Sequence, residues 1–294
     1  MRSIVLSILL GTSLYANEAF ISVDSLKKEI NDKNIVILDI SDFQTYKGGH
    51  IKNAIWTDIT KFRKDVGTYL LMQKPADIQK IARNLGINDN SHIVIYGHGN
   101  PKDLLKESYL ALALIVNGAK DVSLLNGGYL AWTFESNILS STSTSSPKDG
   151  NFTSLYNPNI LVDLNYMKSS LAKVPVLDAR STDIYYGVSP SKGVKRLGHI
   201  QGAMSSFWRD KFLTDETVRK DDELKDIFLK GYNLQKDDVV ISYCTSGMEA
   251  SMNWYILYNY FGFKNVKLYD ASMREWGNRD DTPMERFKWE MFSK

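Results

Sequence analysis

Short runs of consecutive apolar residues alternate along this chain with longer stretches whose apolar positions recur at helical spacing. The runs Ile35–Leu38, His92–Tyr96, Val174–Leu177 and Val239–Tyr243 are each too short for a buried helix and are rich in Val and Ile, which predicts strands buried on both faces. Between them, Asp77–Leu85, Leu104–Val116 and Glu249–Phe261 carry amphipathic patterns that predict helices. Strand–helix alternation of this kind predicts an α/β architecture, with a mostly parallel sheet covered by helices on both faces.

The pattern is used twice. Ile35-Val36-Ile37-Leu38-Asp39 returns as Val174-Pro175-Val176-Leu177-Asp178, and Gly49-His50-Ile51-Lys52-Asn53-Ala54 as Gly198-His199-Ile200-Gln201-Gly202-Ala203. His92–Gly97 returns as Val239–Cys244, and Leu124–Trp132 as Leu268–Trp276. The four matches keep their order at offsets between 139 and 149 residues, which predicts two tandem domains of one fold. Between the copies lies 136–150, where a Ser/Thr run followed by Pro147 cannot build a core and reads as a solvated connector. The expected organisation is a first domain over 20–135, a linker over 136–150 and a second domain over 151–294. At 294 residues, two domains are also what length alone predicts.

Residues 1–16 read as a secretory signal: Arg2, then the apolar stretch Ile4–Leu14, then the small residue Ala16. The stretch is well short of the roughly 20 residues that span a bilayer as a helix. Leu14 is large for its place before a cut at Ala16, so the cleavage position stays open, as does a buried first helix. The expectation is a periplasmic or secreted product with no membrane attachment once the signal is removed. A net charge of +2, from 36 Lys and Arg against 34 Asp and Glu, gives no electrostatic footprint for nucleic acid. The apolar fraction of 43% argues against disorder.

The chain has one cysteine and four histidines. A lone cysteine forbids an intramolecular disulfide and leaves too few thiols for a Cys-based zinc site, so no metal is expected. Cys244 follows a predicted buried strand and precedes Thr245-Ser246-Gly247-Met248-Glu249, which opens a predicted helix. Free N–H groups and the helix dipole at such a position favour the thiolate, and Gly247 allows the backbone to fold its N–H groups towards one sulfur. A lowered thiol pKa and a nucleophile are therefore expected, against the alternative of an inert buried thiol. A phosphatase loop would need an arginine six residues after the thiol, where this chain has Ala250. His50 and His199 occupy equivalent places in both copies although only one copy has a thiol, so a structural role is expected for both.

These residues resemble a tandem-domain rhodanese, a thiosulfate or 3-mercaptopyruvate sulfurtransferase. The features that carry the resemblance are Asp178-Ala179-Arg180, Gly198–Ala203, the Cys244–Glu249 loop and the closing Tyr269–Asn278 segment. The first copy has the same landmarks with Gly97 in place of the cysteine, which implies a non-catalytic first domain and a catalytic second one. The resemblance implies that Cys244 attacks a sulfane sulfur and becomes a persulfide, with no cofactor. Thr245, Ser246, Gly247, Met248 and Glu249 would cradle that persulfide. Arg180 would meet the substrate anion or serve as a structural ion-pair partner, and Lys192, Lys195, Arg196 and Arg274 are further candidate cations. The partners implied are a small sulfur-containing anion and a thiol or cyanide acceptor, with a protein acceptor also open. A persulfide carrier with little turnover is the alternative. The neutral Cys-Thr-Ser-Gly loop favours 3-mercaptopyruvate, but Leu70 replaces the histidine of that class, and the segments around Asp183–Gly187 and Tyr269–Asn278 favour thiosulfate. The balance leans slightly to thiosulfate, with Glu249 as a negative charge that neither class carries.

Overall fold

The computed structural model describes residues 18–135, 140–144 and 146–288. The expected signal at 1–16 and the connector positions 136–139 and 145 lie outside the described residues. No described helix is long and apolar enough to cross a membrane.

Each half builds a five-stranded sheet, and the two sheets have one topology. The first runs Phe20–Ile21, Asp121–Leu125, His92–Tyr96, Ile35–Asp39, Ile55–Trp56, with every neighbouring pair parallel. The second runs Leu161–Val162, Val266–Tyr269, Val240–Tyr243, Val176–Asp178, Met204–Ser205, again parallel throughout. The register repeats as well: Asp39 lies opposite Tyr96 as Asp178 lies opposite Tyr243. Strands covered on both faces can be apolar at every position, which is why these runs do not alternate.

The predicted helices form over Pro75–Asn84 and Pro101–Val116, and over Met248–Tyr255 with a further turn to Tyr260. Pro101–Val116 buries Leu104, Tyr109, Leu110, Leu112 and Leu114 because it lies between its own sheet and the helix Met248–Tyr255 of the other domain. One apolar core therefore runs through both domains, from Ile93 and Leu110 to Trp254 and Ile256. Polar contacts pin the same face: Ser108 Oγ lies 2.8 Å from Ser251 Oγ, and Tyr255 donates its hydroxyl proton to the carbonyl of Val122 at 3.0 Å.

His50 and His199 are buried at matching turns. Their Nδ1 atoms lie 2.8 and 2.9 Å from the carbonyls of Tyr46 and Tyr185, and each ring stacks on that tyrosine at 3.9 and 3.8 Å. Both tie a turn and neither approaches the thiol loop through these contacts. The described part of the Ser/Thr-rich segment is largely exposed yet held at its ends. Ser140 and Ser141 pair with Ile51 and His50, and Gly150 donates its N–H to the Arg83 carbonyl at 2.8 Å.

Candidate active site

The sheet of the second domain ends at Tyr243, and the next residue is Cys244, 1% exposed. Its backbone is fixed from the segment after the neighbouring strand: Cys244 N–H donates to Ser272 Oγ at 3.1 Å, and its carbonyl accepts from Met273 N–H at 3.1 Å. Arg274 N–H closes on the Thr245 carbonyl at 3.0 Å. The short helix Ser272–Trp276, from the closing segment of the chain, thus docks directly on the thiol loop.

Gly247 caps the helix Met248–Tyr255 with φ +87°, a conformation that side chains rarely adopt. The turn brings the N–H groups of Ser246 and Ala250 onto the Cys244 sulfur. Glu249 reaches back to accept the Thr245 N–H at 3.4 Å, which sets its carboxyl beside the Cys244 thiol. Thr245 is half-buried under the insertion that precedes Gly198, its hydroxyl 2.8 Å from Ser191 Oγ. Met248 is the first residue of the helix, with its carbonyl bonded by Ser251 Oγ at 2.6 Å.

The expectation of a lowered thiol pKa is corrected here. Burial pushes the Cys244 thiol up, and the Glu249 carboxylate adds to the rise, to about 12, against the two N–H groups that pull it down. Burial also holds the Glu249 carboxyl above its usual range. A helix start lowers a thiol pKa only while the sulfur stays hydrated enough for the dipole to dominate; here desolvation outweighs it.

The candidate cations separate cleanly. Arg180 is buried and bound to Asp178, with Nη2 2.5 Å from Oδ2 and 2.9 Å from the Gly198 carbonyl, and Tyr243 OH completes the cluster at 2.6 Å from Asp178 Oδ2. Of its two expected roles, these contacts are those of the ion-pair partner. Lys192 and Lys195 are exposed, while Arg196 is spent on the carbonyls of Trp276 and Thr282. Arg274 lies against Gly193 of the insertion, its Nε buried with no hydrogen-bond partner among the described residues.

Two residues that sequence reasoning missed come from across the domain boundary or gain their role from it. Arg63 of the first domain is buried and donates from Nη2 to the Ser246 carbonyl at 2.5 Å and the Leu70 carbonyl at 3.2 Å. Asp270 is buried under the loop. It accepts the Tyr109 hydroxyl at 3.0 Å and the Met72 N–H at 2.7 Å, and burial pushes its carboxyl up to about 6. By the alignment that pairs Ala54 with Ala203, the counterpart of Arg63 is Phe212, so a charge facing an aromatic in the other copy was the available signal. Beside this contact the domains leave a cleft of about 460 Å³ lined by Tyr69, Leu71, Leu164, Tyr269 and Glu275 among others, with the first domain as one of its walls.

In the first copy, Gly97 stands where the thiol would be and His98 bonds Asp39, Nε2 to Oδ2 at 2.9 Å. A Cβ on Gly97 would meet Asp103 Cβ at 2.3 Å and Glu107 Oε1 at 2.9 Å, so that space is already filled by carboxylic side chains.

Two sheets of one topology, of which only one delivers a thiol to a glycine turn at a helix start, define a tandem-domain protein built around a single candidate nucleophile. A rhodanese-like domain model matches the chain twice, at residues 22–135 and 163–279, and the chain belongs to that family. It is 28% identical over 284 residues to the 3-mercaptopyruvate sulfurtransferase of Escherichia coli strain K12, covering 92% of this chain and 98% of that protein. It is 27% identical over 285 residues to the sulfur carrier protein TtuD of Thermus thermophilus, covering 92% and 97%. Among solved structures, SseA from Escherichia coli superposes with a TM-score of 0.74 at 25% identity, covering 87% of this chain and 98% of that one.

Proposed function

We propose that this protein is a sulfurtransferase that accepts sulfane sulfur on Cys244 and passes it to a thiophilic acceptor. The observation that carries the reading is the Cys244 turn itself, where the only sulfur nucleophile of the chain meets converging N–H groups at the end of a buried strand. Such a site fits a step in which anionic charge develops on sulfur.

With thiosulfate, the Cys244 sulfur attacks the outer sulfur, a new S–S bond forms, the old one breaks and sulfite leaves with its electron pair. The acceptor, cyanide or a thiolate, then takes the outer sulfur and returns the thiolate of Cys244. Because the resting thiol is protonated, its proton has to go somewhere at the first step. Glu249 stands beside the thiol and is made more basic by burial, so it is the group assigned to take that proton, and the transfer moves the negative charge from carboxylate to sulfur without adding charge to the site. Thr245, Ser246, Gly247 and Met248 supply the backbone of the cradle, and Arg274 is the cation assigned to the donor. The first donor to try is thiosulfate, with 3-mercaptopyruvate as the rival, and the apolar stretch at Ile4–Leu14 supports action outside the cytoplasm.

The test is turnover of each donor with cyanide or a thiol, measured as thiocyanate or sulfide, in wild type and Cys244→Ser. Full activity in Cys244→Ser refutes the mechanism. A second reading, a persulfide carrier, is favoured by the burial of the thiol; it predicts one stoichiometric persulfide by mass spectrometry and no turnover.

A further inference from the structure

The thiol loop belongs to the second domain, but what holds its central peptide comes from the first. Arg63 Nη2 lies 2.5 Å from the carbonyl oxygen of Ser246, across 183 residues of chain. Its guanidinium stands 4.7 Å from the centre of the Tyr109 ring, and its Nε is buried with no hydrogen-bond partner among the described residues. On the other side of the same peptide, the Gly247 Cα sits so near Asp270 that a Cβ would come within 2.2 Å of Oδ1. Asp270 is in turn held by two groups of the first domain, the Tyr109 hydroxyl at 3.0 Å and the Met72 N–H at 2.7 Å.

A trans peptide is planar, with its carbonyl and its N–H pointing to opposite sides. Binding the Ser246 carbonyl to a cation in the other domain therefore fixes the direction of the Gly247 N–H, away from Arg63. Were the peptide free to turn over, the turn that carries the Ser246 and Ala250 N–H groups to the sulfur would lose its fixed shape. A persulfide anion would then lose donors that are held in place for it.

We propose that Arg63 is a positioning residue for the sulfur-transfer step: the first domain uses it to fix the Ser246–Gly247 peptide, and with it the turn whose Ser246 and Ala250 N–H groups face the Cys244 sulfur. This rests on Cys244 as the sulfur carrier but not on the identity of the donor. Arg63 touches no reacting atom, and its effect passes through the loop backbone.

The test uses the full chain with Arg63→Met, which keeps length and apolar bulk, and Arg63→Lys, which keeps charge and one donor. Readouts are the pH dependence of Cys244 alkylation by iodoacetamide, the split between kcat and KM, and thermal unfolding. The expected result for Arg63→Met is an alkylation midpoint moved to higher pH and a kcat at least tenfold lower, with KM for the donor within about threefold of wild type. Arg63→Lys should recover part of both changes. A folded Arg63→Met with an unchanged alkylation profile and unchanged kcat overturns the proposal. So does a loss of thermal stability alone, with the alkylation profile intact. If Arg63→Met does not fold, Arg63→Lys decides on the same profile, where no shift at all refutes. The alkylation profile needs no substrate, so an absence of turnover in wild type would sink the sulfurtransferase reading and leave this test standing.

Discussion

Replacing Gly247 by alanine asks how tightly the thiol turn is held against the domain interface. Gly247 has φ +87°, and an alanine in that region costs about 1–2 kcal/mol before any contact is counted. The new Cβ would lie 2.2 Å from Asp270 Oδ1 and 3.0 Å from the Asp270 carbonyl, so the carboxylate has to retreat by about 1 Å to reach an ordinary contact. It has nowhere to go without stretching its bonds to Met72 N–H, now 2.7 Å, and Tyr109 OH, now 3.0 Å. A hydrogen bond lost by a buried charged acceptor is worth about 1.5–3 kcal/mol. Strain plus the loss of one or two such bonds predicts destabilisation of about 2.5–8 kcal/mol, a large share of the 5–15 kcal/mol typical of a domain. Urea unfolding followed by far-UV circular dichroism measures it as a midpoint shift at constant slope. Gly202 provides the control, because it has φ +77° with nothing within 4 Å of its hypothetical Cβ. Gly202→Ala should therefore cost the strain alone. Equal midpoints for the two variants would refute the argument that Asp270 and the turn are packed against each other.

Glu249→Gln removes a negative charge beside the thiol. The Cys244 alkylation midpoint should move to lower pH and the KM for thiosulfate should fall, while kcat also falls because the proton acceptor is gone; a rise in kcat would rule out that acceptor role. Arg180→Gln strands Asp178 in the core and should cost about 3–5 kcal/mol in urea unfolding with little change in donor KM. Unchanged stability with a tenfold higher KM would instead make Arg180 a substrate ligand. Lys211 is fully buried without an anionic hydrogen-bond partner, its ammonium on Phe207 O at 2.7 Å and Ser206 Oγ at 3.1 Å, and burial lowers it to about 7. Its folded pKa lies below the unfolded value, so the unfolded chain binds more protons above pH 7 and this group makes stability rise with pH. The rise is about 1.5 kcal/mol from pH 7 to 8.5, reduced by a few tenths of a kcal/mol as Cys244 of the unfolded chain begins to ionise, and Lys211→Met should abolish it in urea titrations at the two pH values.

The repeat was legible because it is written in local patterns. A buried parallel strand needs a run of apolar residues, a turn histidine needs a fixed place after the strand, and both recur in order in the two halves. The Cys244 turn was legible for the same reason, since strand, thiol, glycine and helix are consecutive. The charge balance at the sulfur was not. Desolvation depends on what packs around Cys244, and the segments that close on its loop come from elsewhere in the chain: Ser272 and Met273 on its backbone, and the insertion through the hydroxyl pair of Ser191 and Thr245. The helix-start argument counted the donors and could not count the burial. Arg63 was hidden more deeply, because it lies far from the loop it touches and in the half that lacks the thiol. Arg180 is the intermediate case: Asp178, two residues away, made the ion pair readable, and the structure shows the pair shut away from solvent.

The first domain differs from the second in more than Gly97 in place of a cysteine. Its helix Pro101–Val116 is the counterpart of the helix that follows Cys244, and its first turns have been turned inward. Asp103 and Glu107 occupy the space around Gly97, and burial beside Asp103 holds the Glu107 carboxyl well above its usual range. A cradle for an anion cannot coexist with two acidic groups in that volume, so the first copy has given up more than a thiol. The middle of the same helix has acquired contacts that serve the other domain, with Ser108 on Ser251 and Tyr109 on Asp270. Arg63 and the Met72 N–H complete that set from the adjoining hairpin. Cut away from these groups, the second domain would keep Cys244 but leave Asp270 without two of its donors and the Ser246 carbonyl without its cation. The unit that holds the thiol turn is therefore the pair of domains, because the Ser246 carbonyl and Asp270 are both bonded from the first domain.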